Sequence, residues 1–145
     1  MNKIDFDITK SKILIADDVA LMRDLLKGML RGFGYVNIDE ACNGEGALQR
    51  FMIGRHNLVI LDINMPKQNG IDTVKAIRAV DPLTFIIMIS GNSAIDIVTD
   101  ALASGINGYI VKPYTPKKLA EILGKYAEHT ALESTRSTHY VRANL

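Results

Sequence analysis

One short run of aliphatic residues constrains the fold of this chain more than any other feature. Leu58, Val59, Ile60 and Leu61 stand together, and the run stops at a single carboxylate, Asp62. Successive side chains of a β-strand point to opposite faces, so an unbroken aliphatic run is typical of a strand buried on both faces of a parallel sheet. Asp62 is predicted to stand where that strand leaves the core, and ligands of open parallel sheets bind at this carboxyl edge.

Similar apolar runs alternate along the chain with segments of helical periodicity. Strands are predicted at residues 12–16, 36–38, 58–62, 83–89 and 108–111. In the segments that follow the strands, apolar residues recur every three or four positions, which is typical of amphipathic helices. Five strands alternating with five helices predict an α/β fold, a doubly wound parallel sheet with the flavodoxin-like strand order 2-1-3-4-5.

The length and charge of the chain limit its organisation and its partners. A chain of 145 residues suits one domain, which we place at residues 12–126, where the alternating pattern lies. Residues 1–11 are predicted to form a polar leader, and residues 127–145 a tail that is mobile or extends the last helix. With 17 basic and 16 acidic residues the net charge is +1, so no overall field favours nucleic acid or an anionic membrane.

Cysteine content and hydropathy bear on the cellular compartment. The single cysteine, Cys42, excludes an internal disulfide and a cysteine-based metal cluster, and we expect it to fill a small space in the core. Residues 1–7 contain no apolar signal segment, and no stretch approaches the ~20 apolar residues of a membrane helix. We therefore expect a soluble cytoplasmic protein without membrane insertion.

Polar side chains follow four of the predicted strands, at the point where each strand ends. Asp17 and Asp18 follow the first, Asp62 ends the third, Ser90 follows the fourth and Lys112 follows the fifth. These four strands are neighbours in the order 2-1-3-4-5, so their carboxyl ends meet at one edge. Three carboxylates at one edge repel each other unless a cation lies among them, and an all-oxygen ligand set favours Mg²⁺.

Taken singly, each aspartate also suits a structural role. Asp17 or Asp18 suits the cap of the first helix, and Asp62 suits a turn. The combination with Lys112 favours a functional site, because a carboxylate beside Mg²⁺ and facing an ammonium group can accept a phosphoryl group. The sequence therefore predicts an aspartyl phosphate at Asp62, which adds about −1.5 to −2 charges at one point.

Four sequence blocks carry a resemblance to a known family. They are ILIADD at residues 13–18, LDINMP at 61–66 followed by Asn69-Gly70, ISG at 89–91 and YIVKP at 109–113. In this order they resemble the response regulator receiver domain, of the single-domain chemotaxis (CheY-like) type. The resemblance covers about residues 12–126.

The resemblance implies roles for the residues at the sheet edge. Asp62 is implied to be the phosphoacceptor, with a histidine kinase, a phosphotransfer protein or a small molecule as phosphodonor. Asp18 is implied to bind Mg²⁺ directly, Asp17 to act mainly through water, and the backbone carbonyl of Asn64 to be a further ligand. Lys112 is implied to pair with the phosphoryl oxygens.

A conformational read-out is implied as well. Ser90 occupies the family's Ser/Thr switch position and Tyr109 its aromatic switch position, and the Lys112–Pro113 bond resembles the family's cis peptide. On phosphorylation the Ser90 hydroxyl moves toward the new oxygens and Tyr109 swings inward, which alters the face made by the fourth helix, fifth strand and fifth helix. A downstream effector protein is implied to bind this face.

The resemblance also implies that this chain is a signalling switch and not an enzyme. It is implied to catalyse only its own phosphorylation and dephosphorylation.

Three other functions fit the sequence less well. A phosphatase of the haloacid dehalogenase kind needs an aspartate two residues after its nucleophile, and Asn64 cannot transfer that proton. A nucleotide- or flavin-binding module is disfavoured because the chain lacks a phosphate-binding loop and has Gln49 where the dinucleotide fingerprint needs glycine. Residues 127–145 are too few for a helix-turn-helix domain, so we expect no direct DNA binding.

Overall fold

The computed structural model describes residues 6–91 and 95–143, with side chains except at position 95 and positions 134–143. In this part of the chain a 3-10 helix at Ile8–Lys10 precedes five strands and five α-helices. The strands are β1 (Lys12–Ala16), β2 (Asn37–Ala41), β3 (Leu58–Asp62), β4 (Phe85–Ser90) and β5 (Gly108–Val111). The helices are α1 (Ala20–Gly32), α2 (Gly44–Gly54), α3 (Gly70–Val80), α4 (Ile95–Ala103) and α5 (Pro116–Ala143). None of the described helices has both the length and the apolar character that crossing a bilayer requires.

The strands form one parallel sheet in the order β2-β1-β3-β4-β5, which confirms the predicted topology. Every residue of β3 and β4 is buried, because these strands lie inside the sheet and helices cover both faces. The register pairs Asp62 with Ile89 and Ser90 with Val111. The carboxyl ends of β3, β4 and β5 therefore lie side by side.

The alternation of side chains along β3 builds two cores, one on each face of the sheet. Leu58 and Ile60 belong to the core covered by α1 and α5. Val59 and Leu61 belong to the opposite core, covered by α2, α3 and α4. Burial of each such side chain contributes about 1.5–3 kcal/mol relative to exposure. Because both faces require apolar residues, the strand has no polar position before Asp62.

Helix α5 packs on the first core through aromatic contacts. The buried ring of Tyr126 meets Phe6 and Phe85 edge-on, each at a centroid distance of 5.5 Å. Its hydroxyl lies 2.7 Å from Ser11 Oγ, which gives the buried polar atom a partner. Less than one turn further, the ring of His129 lies 5.4 Å from that of Phe85. The helix is thus still in contact with the sheet beyond Tyr126.

Both ends of the chain lie partly outside the described residues. Of the predicted leader, residues 1–5 are not described, and the remainder includes the 3-10 helix. Of the predicted tail, residues 127–143 continue α5 as one helix and residues 144–145 are not described.

The predicted core position of Cys42 is wrong, because its side chain is exposed. Cys42 directly follows the edge strand β2, whose last residue, Ala41, is buried. Because Cys42 lies beyond the end of this strand, at the edge of the sheet, its side chain reaches solvent.

Arg78 of α3 holds the turn that precedes β5. Its half-buried guanidinium donates to the carbonyl oxygens of Gly105 (2.7 Å) and Thr84 (2.6 Å) and to Asn107 Oδ1 (2.6 Å). The Asn107 side chain in turn accepts a hydrogen bond from the N–H of Ile86 in β4. Arg78 therefore joins α3, β4 and the α4–β5 turn, and burial lowers its pKa although the negative charge of Asp81 opposes this shift.

We predict that Arg78→Met lowers the free energy of unfolding by about 2–4 kcal/mol, because several part-buried carbonyl groups lose their donor. Urea denaturation measures the change. The matched control is Lys75→Met on the exposed side of the same helix, which should change stability by less than about 0.5 kcal/mol. Equal effects of the two substitutions would contradict this account of Arg78.

Candidate functional site

Asp62 is the last residue of β3 and has both carboxylate oxygens engaged. Its side chain is 8% exposed, so unpaired ionisation would be costly. Oδ1 accepts a hydrogen bond from the backbone N–H of Asn64 at 2.8 Å. Oδ2 lies 2.5 Å from Nζ of Lys112. The carboxylate is thereby held in one orientation at the carboxyl edge of the sheet.

A glycine at the start of α3 allows the loop after β3 to fold back on the strand end. A Cβ atom at Gly70 would lie 2.6 Å from Ile63 Cα and 2.7 Å from the Asp62 carbonyl oxygen, closer than side chains can approach. The N–H of Gly70 donates to the Ile63 carbonyl at 2.9 Å. Asn69 caps the helix by accepting a hydrogen bond from the Asp72 N–H at 2.9 Å. This tight return fixes the backbone around Asp62.

Asp17 and Asp18 follow β1 and lie beside Asp62. One carboxylate oxygen from each of the three residues lies within 4.8 Å of the others. Neither aspartate stands at the N-cap of α1, where the sequence suggested one of them. The N-cap residue is Val19, which makes no side-chain cap hydrogen bond. Asp17 Oδ1 accepts a hydrogen bond from the Val19 N–H at 2.9 Å, as in a turn.

Lys112 brings a positive charge to these carboxylates from the end of β5. Its Nζ lies 2.5 Å from Asp62 Oδ2 and 3.5 Å from Asp17 Oδ2. Its backbone N–H donates to the Ser90 carbonyl at 2.8 Å, and its peptide bond to Pro113 is cis, as the sequence resemblance implied. The backbone that orients Lys112 is therefore fixed to the end of β4.

The electrostatics of the site follow from partial burial of several charges. Burial is the main cause that raises the pKa of Asp17, and the ammonium of Lys112 only partly opposes it. Burial also lowers the pKa of Lys112, but the hydrogen bond and the charge of Asp62 outweigh it and raise that pKa above its ordinary value. Lys112 consequently remains cationic while the carboxylates compete for a single ammonium group.

The donor set fits a hard divalent cation. The three carboxylates provide only oxygen ligands, and Asp18 is exposed, which leaves room for waters on the outer side. Mg²⁺ characteristically keeps several waters and binds one or two carboxylates. Backbone atoms of Asn64 lie next to Asp62, as the hydrogen bond between them requires.

Ser90 and Tyr109, the two predicted switch residues, lie on adjacent strands. Ser90 is the fully buried last residue of β4 and pairs with Val111. Tyr109 pairs with Met88, two residues before Ser90, and is half-buried against the core that α4 covers. Ser90 is thus at the carboxyl edge with Asp62, and Tyr109 lies two residues further from that edge.

Sequence reasoning missed Tyr114 as a neighbour of the site. With Met22, Leu26 and other residues it encloses a cavity of about 10 Å³ that Asp62 and Lys112 also line. Burial raises the pKa of Tyr114, so its hydroxyl stays neutral beside these charges. The sequence could have indicated this position, because Tyr114 directly follows Pro113 at the end of β5 and residues that follow a strand line the same edge of the sheet.

The sequence profile of the response regulator receiver domain matches residues 13–124. The chain belongs to this family. The receiver protein is 41% identical over 119 residues to chemotaxis protein CheY-3 of Vibrio cholerae, which covers 81% of this chain and 92% of the relative. It is 37% identical over 117 residues to chemotaxis protein CheY of Thermotoga maritima, which covers 81% of this chain and 98% of the relative.

Solved structures agree with the observed topology of the receiver protein. Vibrio cholerae chemotaxis protein CheY4 is similar with a TM-score of 0.75 at 30% identity, over 80% of this chain and 98% of that chain. CheY in a CheX-CheY-BeF3-Mg complex of Borrelia burgdorferi is similar with a TM-score of 0.74 at 32% identity, over 77% and 84%. The receiver family uses Mg²⁺ at an acidic pocket, and this chain has a cluster of three aspartates at the carboxyl edge of its sheet.

We predict that Asp17→Asn raises the free energy of unfolding at pH 7 in the absence of divalent cations. The raised pKa of Asp17 means that ionising this carboxyl destabilises the folded state once the pH exceeds the ordinary aspartate value of about 3.9. The increase in the free energy of unfolding should therefore shrink as the pH falls through the raised pKa of Asp17, and vanish below the ordinary aspartate pKa. Urea denaturation across this pH range is the measurement.

Asp100→Asn on the exposed surface of α4 serves as the control, because it removes one negative charge away from the cluster. Burial of the ionised Asp17 carboxylate is not the cause if Asp17→Asn stabilises the protein no more than Asp100→Asn does. The same conclusion follows if the stabilisation by Asp17→Asn stays unchanged at low pH.

Proposed function

We propose that this receiver protein is a phosphorylation-controlled switch in which Asp62 accepts a phosphoryl group in the presence of Mg²⁺. The observation that carries the proposal is the contact between the Lys112 ammonium and Asp62 Oδ2, at an edge that Asp17 and Asp18 share. Separate strand ends supply these groups, so the sheet itself holds the acceptor and its counter-charge together. The receiver unit is proposed to span residues 12–126.

The donor is a phosphohistidine of a histidine kinase or phosphotransfer protein, or a small acyl phosphate. A carboxylate oxygen of Asp62 attacks phosphorus while the P–N bond to the donor imidazole breaks. The electron pair of that bond remains on the imidazole nitrogen, which takes up a proton. The product is an aspartyl phosphate on Asp62, and Lys112 is within reach to pair with its oxygens.

Asp17 and Asp18 hold the metal beside Asp62 in this proposal, and the backbone carbonyl of Asn64 adds a ligand. Bound Mg²⁺ supplies neutralisation of charge on the phosphoryl oxygens. The residues orient the acceptor before the donor arrives, because the Asn64 N–H holds Asp62 Oδ1. Orientation of this kind lowers the entropic part of the barrier.

Ser90 and Tyr109 transmit the change. The buried Ser90 hydroxyl stands at the end of the strand beside β3 and is proposed to donate to a phosphoryl oxygen. When the Ser90 side chain moves toward the phosphoryl group, it leaves space behind. Tyr109, which is half-buried on the neighbouring strand, is proposed to move into that space. Shifting a two-state equilibrium from 1:99 to 99:1 takes about 5.5 kcal/mol, which several charge-assisted contacts to one phosphoryl group can supply.

The output is binding of a partner protein to the face of α4, β5 and α5. Two of these elements carry exposed apolar side chains, Leu102 on α4 and Val111 at the end of β5. The relatives named as chemotaxis proteins support a role in a chemotaxis-type phosphorelay. The protein therefore acts as a signalling switch, and turnover of an external substrate is not part of its role.

Incubation with acetyl phosphate and Mg²⁺, followed by intact mass measurement, tests the proposal. The wild type should gain the mass of one phosphoryl group, whereas Asp62→Asn should gain none because the amide oxygen is a poor nucleophile. Omission of Mg²⁺ should abolish the gain in the wild type.

The matched control is Asp72→Asn, an exposed aspartate in the first turn of α3, which should be labelled like the wild type. An unlabelled wild type would overturn the proposed function. Labelling of Asp62→Asn would instead place the acceptor at another residue.

A further inference from the structure

Arg23 of α1 contacts the metal-binding edge through the main chain. Its Nη1 donates to the Asp17 carbonyl oxygen at 2.8 Å. Its Nε donates to Glu40 Oε1 at 3.2 Å, and the side chain is only 19% exposed. The guanidinium is a rigid fork, so two fixed acceptors define its position. Arg23 thereby joins the backbone of Asp17 to a carboxylate of β2.

Glu40 is held in place independently of Arg23. Its second oxygen, Oε2, accepts a hydrogen bond from Lys27 Nζ at 2.9 Å. This bond is the main cause that lowers the pKa of Glu40, so the carboxylate remains ionised. The next residue, Ala41, accepts a hydrogen bond from the Asp17 N–H at 3.2 Å. The peptide groups on both sides of Asp17 are therefore tied to the end of β2, one directly and one through Arg23.

We propose that Arg23 is a positioning residue for Mg²⁺ binding, and that Glu40 anchors it. Arg23 fixes the Asp17 carbonyl, and with it the direction in which the chain presents the carboxylates of Asp17 and Asp18 to the cation. This inference rests on the proposed function, because it concerns the metal site of that function. A metal ligand depends on the groups that orient it, and loss of such a group weakens metal affinity by roughly 10–100-fold.

The direction in which Mg²⁺ affinity changes when Arg23 is replaced distinguishes a positioning role from an effect of charge alone. Removal of a cation near a carboxylate cluster strengthens Mg²⁺ binding if only charge matters. Loss of positioning weakens it. The positive charge that acts on the Asp17 carboxylate comes from Lys112, whereas Arg23 contacts the carbonyl oxygen on the main-chain side. Arg23→Met should therefore bind Mg²⁺ more weakly although it removes a positive charge.

The experiment is titration of the unphosphorylated protein with Mg²⁺ by isothermal titration calorimetry, since the chain contains no tryptophan to report binding by fluorescence. Arg23→Met should raise the dissociation constant about tenfold. Arg50→Met is the matched control, because it removes an exposed positive charge of α2 beside Arg23 and Glu40 and leaves the bonds of Arg23 to Asp17 and Glu40 in place. Its dissociation constant should stay within about twofold of the wild type.

Urea denaturation establishes that each variant is folded before titration. If Arg23→Met is not folded, Arg23→Lys replaces it, since one ammonium group keeps the charge but cannot reproduce the planar fork between Asp17 and Glu40. A folded Arg23 variant that binds Mg²⁺ as tightly as the wild type, or more tightly, overturns the inference, and so does an equal loss in Arg50→Met. Labelling of the wild type by acetyl phosphate is judged separately, so failure of the positioning role leaves the proposed function standing.

Discussion

The carboxyl edge of the sheet depends on the ion pair between Lys112 and Asp62. Three aspartates converge there because the neighbouring strands β1 and β3 end at the same edge, and each added charge raises the cost of the others. Lys112 lies within reach of two of the carboxylates, and its own N–H is bonded to Ser90 of β4. The sheet that creates the repulsion therefore also supplies the charge that offsets part of it, and a divalent cation among the carboxylates would offset the rest.

The fold could be predicted from the sequence because its strands are buried on two faces. The boundaries predicted for β1 and β5 match the structure, and the parallel order follows from alternation of strands with helices. Periodicity could not place Cys42, which stands one residue beyond the edge strand and has no pattern around it. Nor could it reveal the bonds of Arg78, whose acceptor Gly105 is 27 residues distant. The apolar period is lost after Tyr126, so the sequence pattern could not decide between a mobile tail and the helix that continues to Ala143.

The candidate site could be located from the sequence because topology brings strand ends together. The predicted strand order was enough to place five side chains at one edge: Asp17, Asp18, Asp62, Ser90 and Lys112. Their chemical roles come from the family resemblance and stay predictions. Contacts to main-chain atoms were not foreseeable. Arg23 bonds to a carbonyl oxygen and Gly70 packs against one, and a backbone atom leaves no signature in the residue that meets it.

A crystal structure of the protein with Mg²⁺ and beryllium fluoride, a mimic of the phosphoryl group, tests the central claim most directly. The mimic is expected on Asp62, with Lys112 Nζ moved from Asp62 Oδ2 to a fluoride at about 2.8 Å. The metal is expected among Asp17, Asp18 and Asp62. A mimic bound elsewhere, or a Lys112 that remains on Asp62 while the mimic is bound there, would contradict the central claim.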